Sequence, residues 1–117
     1  MEKFLYLFRG GMSENIGQSA EAMQAHMQKW MGWMKTLESK GVLVGGEPLD
    51  PKGMQLSGVN KTITDGPFVE AKEMVGGFLV VKAKDIHEAA ELAKGCPILE
   101  VDGKIEVRPI QKMDMPK

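Results

Sequence analysis

The chain has 117 residues, 43% of them hydrophobic, which suits one domain built around one core. Its net charge of -1, from 15 basic and 16 acidic residues, gives no global positive field that would attract nucleic acid phosphates. No apolar run approaches the length of a membrane span, the N-terminal run is too short for a signal peptide, and a single cysteine forms no intramolecular disulfide. We therefore expect a cytoplasmic protein in which residues 1–117 form a single domain and bind neither nucleic acid nor membrane.

The first half of the chain predicts a buried strand and a long helix. Apolar residues stand at both parities from Lys3 to Arg9, which is typical of a strand that is buried on both faces. A helix is predicted from Ser19 to Lys40, with Gly41 as its C-terminal stop. Apolar residues recur within it at steps of four and three: Met23, Met27, Trp30, Met34 and Leu37. Their spacing predicts one inward-facing stripe.

The second half predicts more strands and a short helix. The predicted strands are Val42–Leu49, Met54–Ser57, Val59–Thr64, Met74–Lys82 and Ile105–Ile110. The second and third of these form a hairpin, and Gly76-Gly77 predicts a bulge or a close backbone approach. Asp85 and Glu88 have the spacing of a capping box that opens a helix, and Gly95 closes it.

This order of elements predicts an α+β fold of the ferredoxin-like split βαβ type, with both helices on one face of an antiparallel sheet. Two of the strands carry large apolar residues at both parities, so the second face of the sheet also needs a cover. The simplest cover is the same face of another subunit. We therefore predict a homodimer formed through the open sheet face.

The segment from Thr64 to Phe78 is the most unusual part of the sequence. Asp65-Gly66-Pro67-Phe68 predicts a stiff, sharp turn. Three carboxylates and one ammonium group lie within nine residues: Asp65, Glu70, Lys72 and Glu73. One interpretation is a structural turn whose charges are solvated or paired. The other is an acid–base site, because paired carboxylates beside a lysine and an apolar wall shift the pKa of an acid.

These residues resemble the motif Asp-Gly-Pro-Phe-x-Glu-x-Lys-Glu, which marks the DGPF branch of the YCII-related proteins. The resemblance continues in the family's order along most of the chain, at Trp30, Gly46-Glu47-Pro48-Leu49, Gly76-Gly77-Phe78, Cys96-Pro97 and Glu106-Val107-Arg108-Pro109. It implies that two ferredoxin-like subunits pair into a dimeric α/β barrel. It also implies an association with extracytoplasmic-function sigma factors, but it does not name a reaction.

The resemblance bears on the histidine of the long helix. In the wider YCII family, a histidine in the first helix and an aspartate in a late Asp-Pro pair have been suggested as an active dyad. In this chain Trp30 stands at the histidine position, and Cys96 replaces the aspartate. His26 lies one helical turn before Trp30, so it either substitutes for that histidine or is an ordinary surface residue.

The other candidate residues have a simpler structural interpretation. Cys96 is expected to be a buried thiol and not a nucleophile, and His87 an exposed residue. Arg108 either pairs with a neighbouring carboxylate or anchors an anionic ligand. No metal-ligand spacing and no glycine-rich phosphate loop is present in the sequence, so we predict no metal and no cofactor.

Two functions remain open on the sequence. The first is an enzyme or binding protein for a small molecule, with proton-transfer or elimination chemistry. Its acid, base and electrostatic groups are Asp65, Glu70, Lys72 and Glu73, with His26, and its apolar or aromatic wall is Trp30 and Phe68. The second is a regulatory protein that binds a sigma factor without turnover. An enclosed polar pocket favours the first, and an exposed Met-rich or aromatic patch favours the second.

Overall fold

The computed structural model describes residues 1–11, 19–66 and 73–113. Within these ranges the strands are β1 (Glu2–Arg9), β2 (Leu43–Pro48), β3 (Gly53–Ser57), β4 (Thr62–Gly66), β5 (Val75–Ala83) and β6 (Lys104–Pro109). The helices are α1 (Ala20–Ser39) and α2 (Ile86–Ala93), and a short 3-10 helix (Pro97–Val101) precedes β6. None of the helices in the described ranges combines the length and apolarity that crossing a membrane requires.

Four strands form the main sheet in the order β2-β5-β1-β6, and every neighbouring pair is antiparallel. This order and the two crossing helices give the α+β ferredoxin-like fold that the sequence predicts. In the chain, β3 and β4 come between β2 and β5. They form a separate antiparallel hairpin that is not part of the main sheet. The register places Phe8 of β1 between Gly77 of β5 and Ile105 of β6, at the end of the sheet where β1 finishes.

The hydrophobic core lies between one face of the sheet and the two helices. Its buried members on β1 are Phe4, Tyr6 and Phe8, which alternate along the strand. Two buried polar groups have partners across this layer. The Tyr6 hydroxyl donates to the Ala89 carbonyl of α2, and the Trp33 Nε1 group of α1 donates to the Leu92 carbonyl over 3.0 Å. These bonds tie both helices to the same core.

The N-terminus of each helix has a side-chain cap, and the cap of α2 is the predicted one. The Ser19 hydroxyl accepts from the Ala22 amide over 3.0 Å and begins α1. At α2 the Asp85 carboxylate accepts from the Glu88 amide over 2.9 Å, as the capping-box spacing predicts. In a capping box the Glu88 carboxylate would accept from the amide of Asp85 itself. Here it accepts from the amide of Lys84, one residue before the cap.

The predicted inward stripe of α1 is wrong in its N-terminal half. Met23 and Met27 are 49% and 54% exposed, whereas Trp33, which the stripe omitted, is 7% exposed. A helix of 20 residues is about 30 Å long, and only its C-terminal half packs on the core. There Trp33 and Leu37 form the buried centre, and Trp30 and Met34 are partly buried beside it.

The second face of the sheet carries the apolar residues that the sequence predicts on it. Leu5, Leu7, Phe78 and Val80 are partly buried and alternate with the buried core positions on β1 and β5. Arg9 of β1 lies on the same face. So do two charged residues of β6: Arg108, which is opposite Leu5, and Glu106, which is opposite Leu7. We call this surface the open sheet face.

Candidate functional site

A cavity of about 380 Å³ lies between the middle of α1 and the end of the sheet at which β1 finishes. Its apolar walls come from Phe8, Met27, Trp30, Met31, Met34 and Ile98. Phe8 belongs to the core face of β1, and Ile98 comes from the 3-10 helix that the sequence did not predict. The cavity is therefore a half-open extension of the core layer.

The backbone of several glycines forms the opposite wall: Gly10, Gly11, Gly46, Gly76 and Gly77. They meet because β1 ends, β5 begins and β2 ends at the same edge of the antiparallel sheet. At Gly46 a Cβ atom would lie 2.3 Å from the Phe78 carbonyl oxygen, so no side chain fits there. Gly11 has a φ of +71° and a Cβ atom would lie 2.6 Å from Ile98. Both positions require glycine.

His26 and Trp30 form the polar contact of the cavity. The Trp30 Nε1 group donates to His26 Nε2 over 2.9 Å, between side chains one helical turn apart. The Trp30 ring is held edge-on by Phe8 and Trp33, with ring centroids 5.1 and 5.8 Å apart. Because His26 accepts at Nε2, the neutral ring carries its proton at Nδ1. Trp30 thus fixes both the orientation and the tautomer of the imidazole.

His26 is the side chain best placed for proton transfer in this cavity. Of the described residues that line it, His26 and Glu47 have titratable side chains. Glu47 on β2 and Leu7 on β1 are both paired with Phe78 of β5, so Glu47 lies on the same face of the sheet as Leu7. Phe8, which forms the cavity wall, lies on the opposite face. The aromatic and methionine walls otherwise offer a ligand apolar contacts.

The DGPF carboxylates that the structure describes lie away from the cavity lining. Asp65 is exposed on β4, where it is opposite Met54. The Glu73 carboxylate accepts from Lys104 Nζ over 2.5 Å, and its backbone carbonyl accepts from Arg9 over 3.0 Å. The predicted site residues Phe68, Glu70 and Lys72 lie outside the described residues.

The other predicted residues occupy different surroundings. Trp30, predicted as an aromatic wall, lines the cavity. Arg108 lies on β6 opposite Leu5, with its guanidinium 3.7 Å from the Glu106 carboxylate and 65% of its side chain exposed. His87 is exposed on α2. In the described ranges, no three His, Cys, Asp or Glu side chains are grouped so that they could hold a metal ion.

Cys96 is a buried core thiol. It is 2% exposed, and burial raises its pKa from 9.0 to about 12. The pKa of Tyr6 is raised from 10.0 to about 12. Burial is the larger cause of this rise, and the neighbouring Cys96 is the smaller one. Thiolate is the nucleophilic form of cysteine, so at neutral pH this residue has the character of a small hydrophobe.

These shifts predict a loss of stability at alkaline pH. Both groups have a higher pKa in the folded state, so their stabilisation is complete below about pH 9 and falls as the pH rises towards 12. Urea melts between pH 8 and 11 should show a falling free energy of unfolding, with a shallower fall in Cys96→Ala. Equal slopes in the two proteins would contradict the role assigned to Cys96.

A family model for the YCII-related domain matches residues 11–114 of this chain. The chain belongs to the YCII-related family. This YCII-related chain also resembles a solved structure of 5-chloro-2-hydroxyhydroquinone dehydrochlorinase from Burkholderia phenoliruptrix AC1100, in complex with 2,5-dihydroxybenzoquinone. The match covers 93% of each chain with a TM-score of 0.53 and 16% identity, so it shows a common fold. A comparison with curated proteins finds no match.

The sequence contains a signal for the cavity that the motif-based interpretation did not use. Glycine pairs follow β1, interrupt β2 and begin β5, at Gly10-Gly11, Gly45-Gly46 and Gly76-Gly77. In the strand order of the structure these pairs lie at one end of the sheet, where missing side chains leave space beside α1. Together with His26 and Trp30 on that helix, they mark the position of the cavity in this YCII-related protein.

Proposed function

We propose that this protein is an enzyme that binds a compact, ring-shaped small molecule in the cavity beside α1 and removes a proton from it through His26. The observation that supports this proposal is the arrangement itself: a cavity of about 380 Å³ with aromatic and methionine walls and an oriented imidazole. Ligand pockets commonly have volumes of about 300 to 1,000 Å³, so the cavity suits a small ligand.

The walls favour a planar and largely apolar ligand. Phe8 and Trp30 are fixed to each other edge to face, which limits how far either ring can move. The thioethers of Met27, Met31 and Met34 are polarisable and adjust to a ring placed against them. The glycine wall allows a flat molecule to approach the backbone closely.

The hydrogen bond between Trp30 and His26 sets the conditions for proton transfer. A ligand hydroxyl must replace the Trp30 N–H as the donor to Nε2, since one lone pair accepts one strong hydrogen bond. The ring reacts from its keto form, in which the proton of one ring hydroxyl has moved to the carbon that bears the leaving group. The proton of a second ring hydroxyl then passes to Nε2. The electron pair of that O–H bond forms a C=O bond, the adjacent C=C bond shifts towards the carbon that bears the leaving group, and the leaving group departs as an anion with the pair of its own bond to carbon. The reaction removes one acid molecule from the ligand.

The solved relative is consistent with this class of chemistry. Its name describes the elimination of chloride from a hydroxylated ring, and it was solved with a dihydroxybenzoquinone. Both molecules are compact, flat rings that carry hydroxyl groups. We extend this substrate class to the present protein because its cavity has the size, the walls and the imidazole for such a ring.

The sequence also predicts that the DGPF carboxylates serve the reaction, although Asp65 and Glu73 lie outside the cavity lining, and this prediction has its own test. Asp65→Asn and Glu73→Gln keep the size of each side chain and remove its charge. If these carboxylates serve the reaction, each substitution lowers turnover while the protein stays folded. The regulatory alternative has less support, because neither the family match nor the solved relative points to a sigma factor. The methionines Met27 and Met31, exposed on α1, contribute to the cavity itself.

A screen of hydroxylated and halogenated ring compounds tests the proposal. Binding is measured by quenching of tryptophan fluorescence, because Trp30 lines the cavity, and elimination by halide release in ion chromatography. We expect binding and halide release for at least one chlorinated hydroxyhydroquinone, and loss of halide release in His26→Gln. A screen in which no ring compound binds, or in which His26→Gln releases halide as fast as the wild type, would overturn the proposal.

A further inference from the structure

Ile98 forms a fixed part of the cavity wall. It belongs to the 3-10 helix, is 5% exposed and lines the cavity. A Cβ atom on Gly11 would lie 2.6 Å from Ile98 Cγ1, and a Cβ atom on Gly103 would overlap the same carbon. The isoleucine side chain is therefore held between two backbone positions at which only glycine fits.

The backbone around Ile98 restricts it further. The Gly103 amide donates to the Ile98 carbonyl over 2.9 Å, and Asp102 has a φ of +63°, which ends the 3-10 helix. Isoleucine is also branched at Cβ, which limits rotation about χ1. We therefore expect this side chain to stay in place when a ligand enters the cavity.

The α1 side of the cavity is more adaptable. Met27 and Met31 are 54% and 67% exposed, and their unbranched side chains are flexible. A wide ligand can push a methionine side chain into solvent, whereas displacing Ile98 would require the two glycine backbones to separate. The cavity therefore has a size limit at Ile98 and tolerance at the methionines.

An ion pair of the 3-10 helix shows which part of the cavity this limit affects. The Lys29 Nζ group of α1 lies 3.1 Å from the Glu100 carboxylate of the 3-10 helix. Lys29 is three residues after His26, so the pair places the 3-10 helix beside the turn of α1 that carries the imidazole. The β2 side of the cavity, with Gly46, is at the opposite edge of the sheet from β6, the strand that follows the 3-10 helix. Ile98 is therefore on the same side of the cavity as His26.

We propose that Ile98 is a specificity-determining residue that limits the size of the ring substituents next to the hydroxyl group bonded to His26. The inference rests on the proposed function, because it concerns which rings that site accepts. A hydroxyl group that reaches Nε2 of the imidazole brings the adjacent ring positions towards Ile98. Hydrogen or a methyl group fits at these positions, and a branched alkyl group collides with the isoleucine. Substituents on the far side of the ring face the methionines and are tolerated.

Isothermal titration calorimetry with symmetric phenols tests the proposal. Symmetry is needed because a ring with one substituent could turn over and avoid the contact. We expect 2,6-diisopropylphenol to bind the wild type at least about tenfold more weakly than 2,6-dimethylphenol, since an excess methylene group in a fixed apolar pocket changes discrimination by that factor or more. In Ile98→Ala the two affinities should come to within about threefold of each other. The isomer 3,5-diisopropylphenol, with hydrogen next to the hydroxyl, should bind both proteins with similar affinity.

Met34→Ala is the matched control. Met34 lines the cavity two helical turns after His26, about 12 Å away along the helix axis. Its truncation opens space far from the imidazole and should keep the preference of the wild type. Ile98→Val removes one methylene group and should shift the preference in the same direction as Ile98→Ala, by less. Thermal melts identify the variants that are folded, and Ile98→Val carries the test if Ile98→Ala is not.

Three results would overturn the assignment: a wild type that binds both 2,6-disubstituted phenols equally, an unchanged preference in the folded Ile98 variants, or an equal change in Met34→Ala. Any of these, with phenols still bound, contradicts this inference alone. Absence of binding by every phenol contradicts the proposed site as well. The measurement involves no turnover, so a failure of the proposed proton transfer is a separate result.

Discussion

Replacing Trp33 with alanine should lower the free energy of unfolding by about 3 to 5 kcal/mol, the usual cost of truncating a buried aromatic side chain. Trp33 is 7% exposed and stacks on Tyr6 with ring centroids 6.1 Å apart. Its truncation leaves a cavity between α1 and the sheet and removes the donor to the Leu92 carbonyl. Urea denaturation followed by circular dichroism measures the change.

Trp30→Ala is the matched control, three residues earlier on the same helix. Trp30 is partly buried and lines the cavity, so its truncation should cost less stability than that of Trp33. It should nevertheless abolish ligand binding, because it removes both a wall and the partner of His26. An equal or larger loss of stability in Trp30→Ala would show that Trp30 belongs to the core and not to a binding site.

Replacing His26 with glutamine should lower turnover by about 10²- to 10⁴-fold, the range that a positioned acid or base contributes. Glutamine retains a hydrogen-bonding side chain but cannot take up a proton at neutral pH. Since His26 is only partly buried, the melting temperature should change little. Steady-state kinetics on the best compound of the screen, together with thermal melts, measure both effects.

His87→Gln provides the control for that substitution. His87 is exposed on α2, away from the cavity lining, so its replacement should leave both turnover and stability unchanged. A variant lacking His26 that turns over at the wild-type rate would contradict the role of the imidazole.

The fold follows from local features of the sequence. Apolar residues at both parities identified β1 and β5, and Ser19, Asp85 and Gly41 marked helix ends that the structure places within a residue or two. The burial of α1 was harder to predict, because Trp30, Trp33, Met34 and Leu37 are all apolar and cover a wide arc of the helix. Which of them is buried depends on where α2 and the sheet meet that arc, which is tertiary information.

The site was less accessible to sequence reasoning. Charge density drew attention to the DGPF segment, yet Glu73 pairs with Lys104, a residue 31 positions later at the start of β6. Local spacing contains no information on such pairing. The cavity, in contrast, is assembled from glycines of three strands and one face of α1. No contiguous motif marks it, although the strand order brings its parts together.

Methionine methyl NMR tests most directly whether the cavity beside α1 is the ligand site. Met27, Met31 and Met34 line the cavity, whereas Met54 lies on β3 and Met113 is 74% exposed near the end of the described chain. An aromatic ligand shifts the resonances of methyl groups that lie against its ring. We predict that titration with the best-binding ring compound shifts the signals of Met27, Met31 and Met34 and leaves those of Met54 and Met113 in place. Shifts confined to Met54 or Met113 would contradict the account.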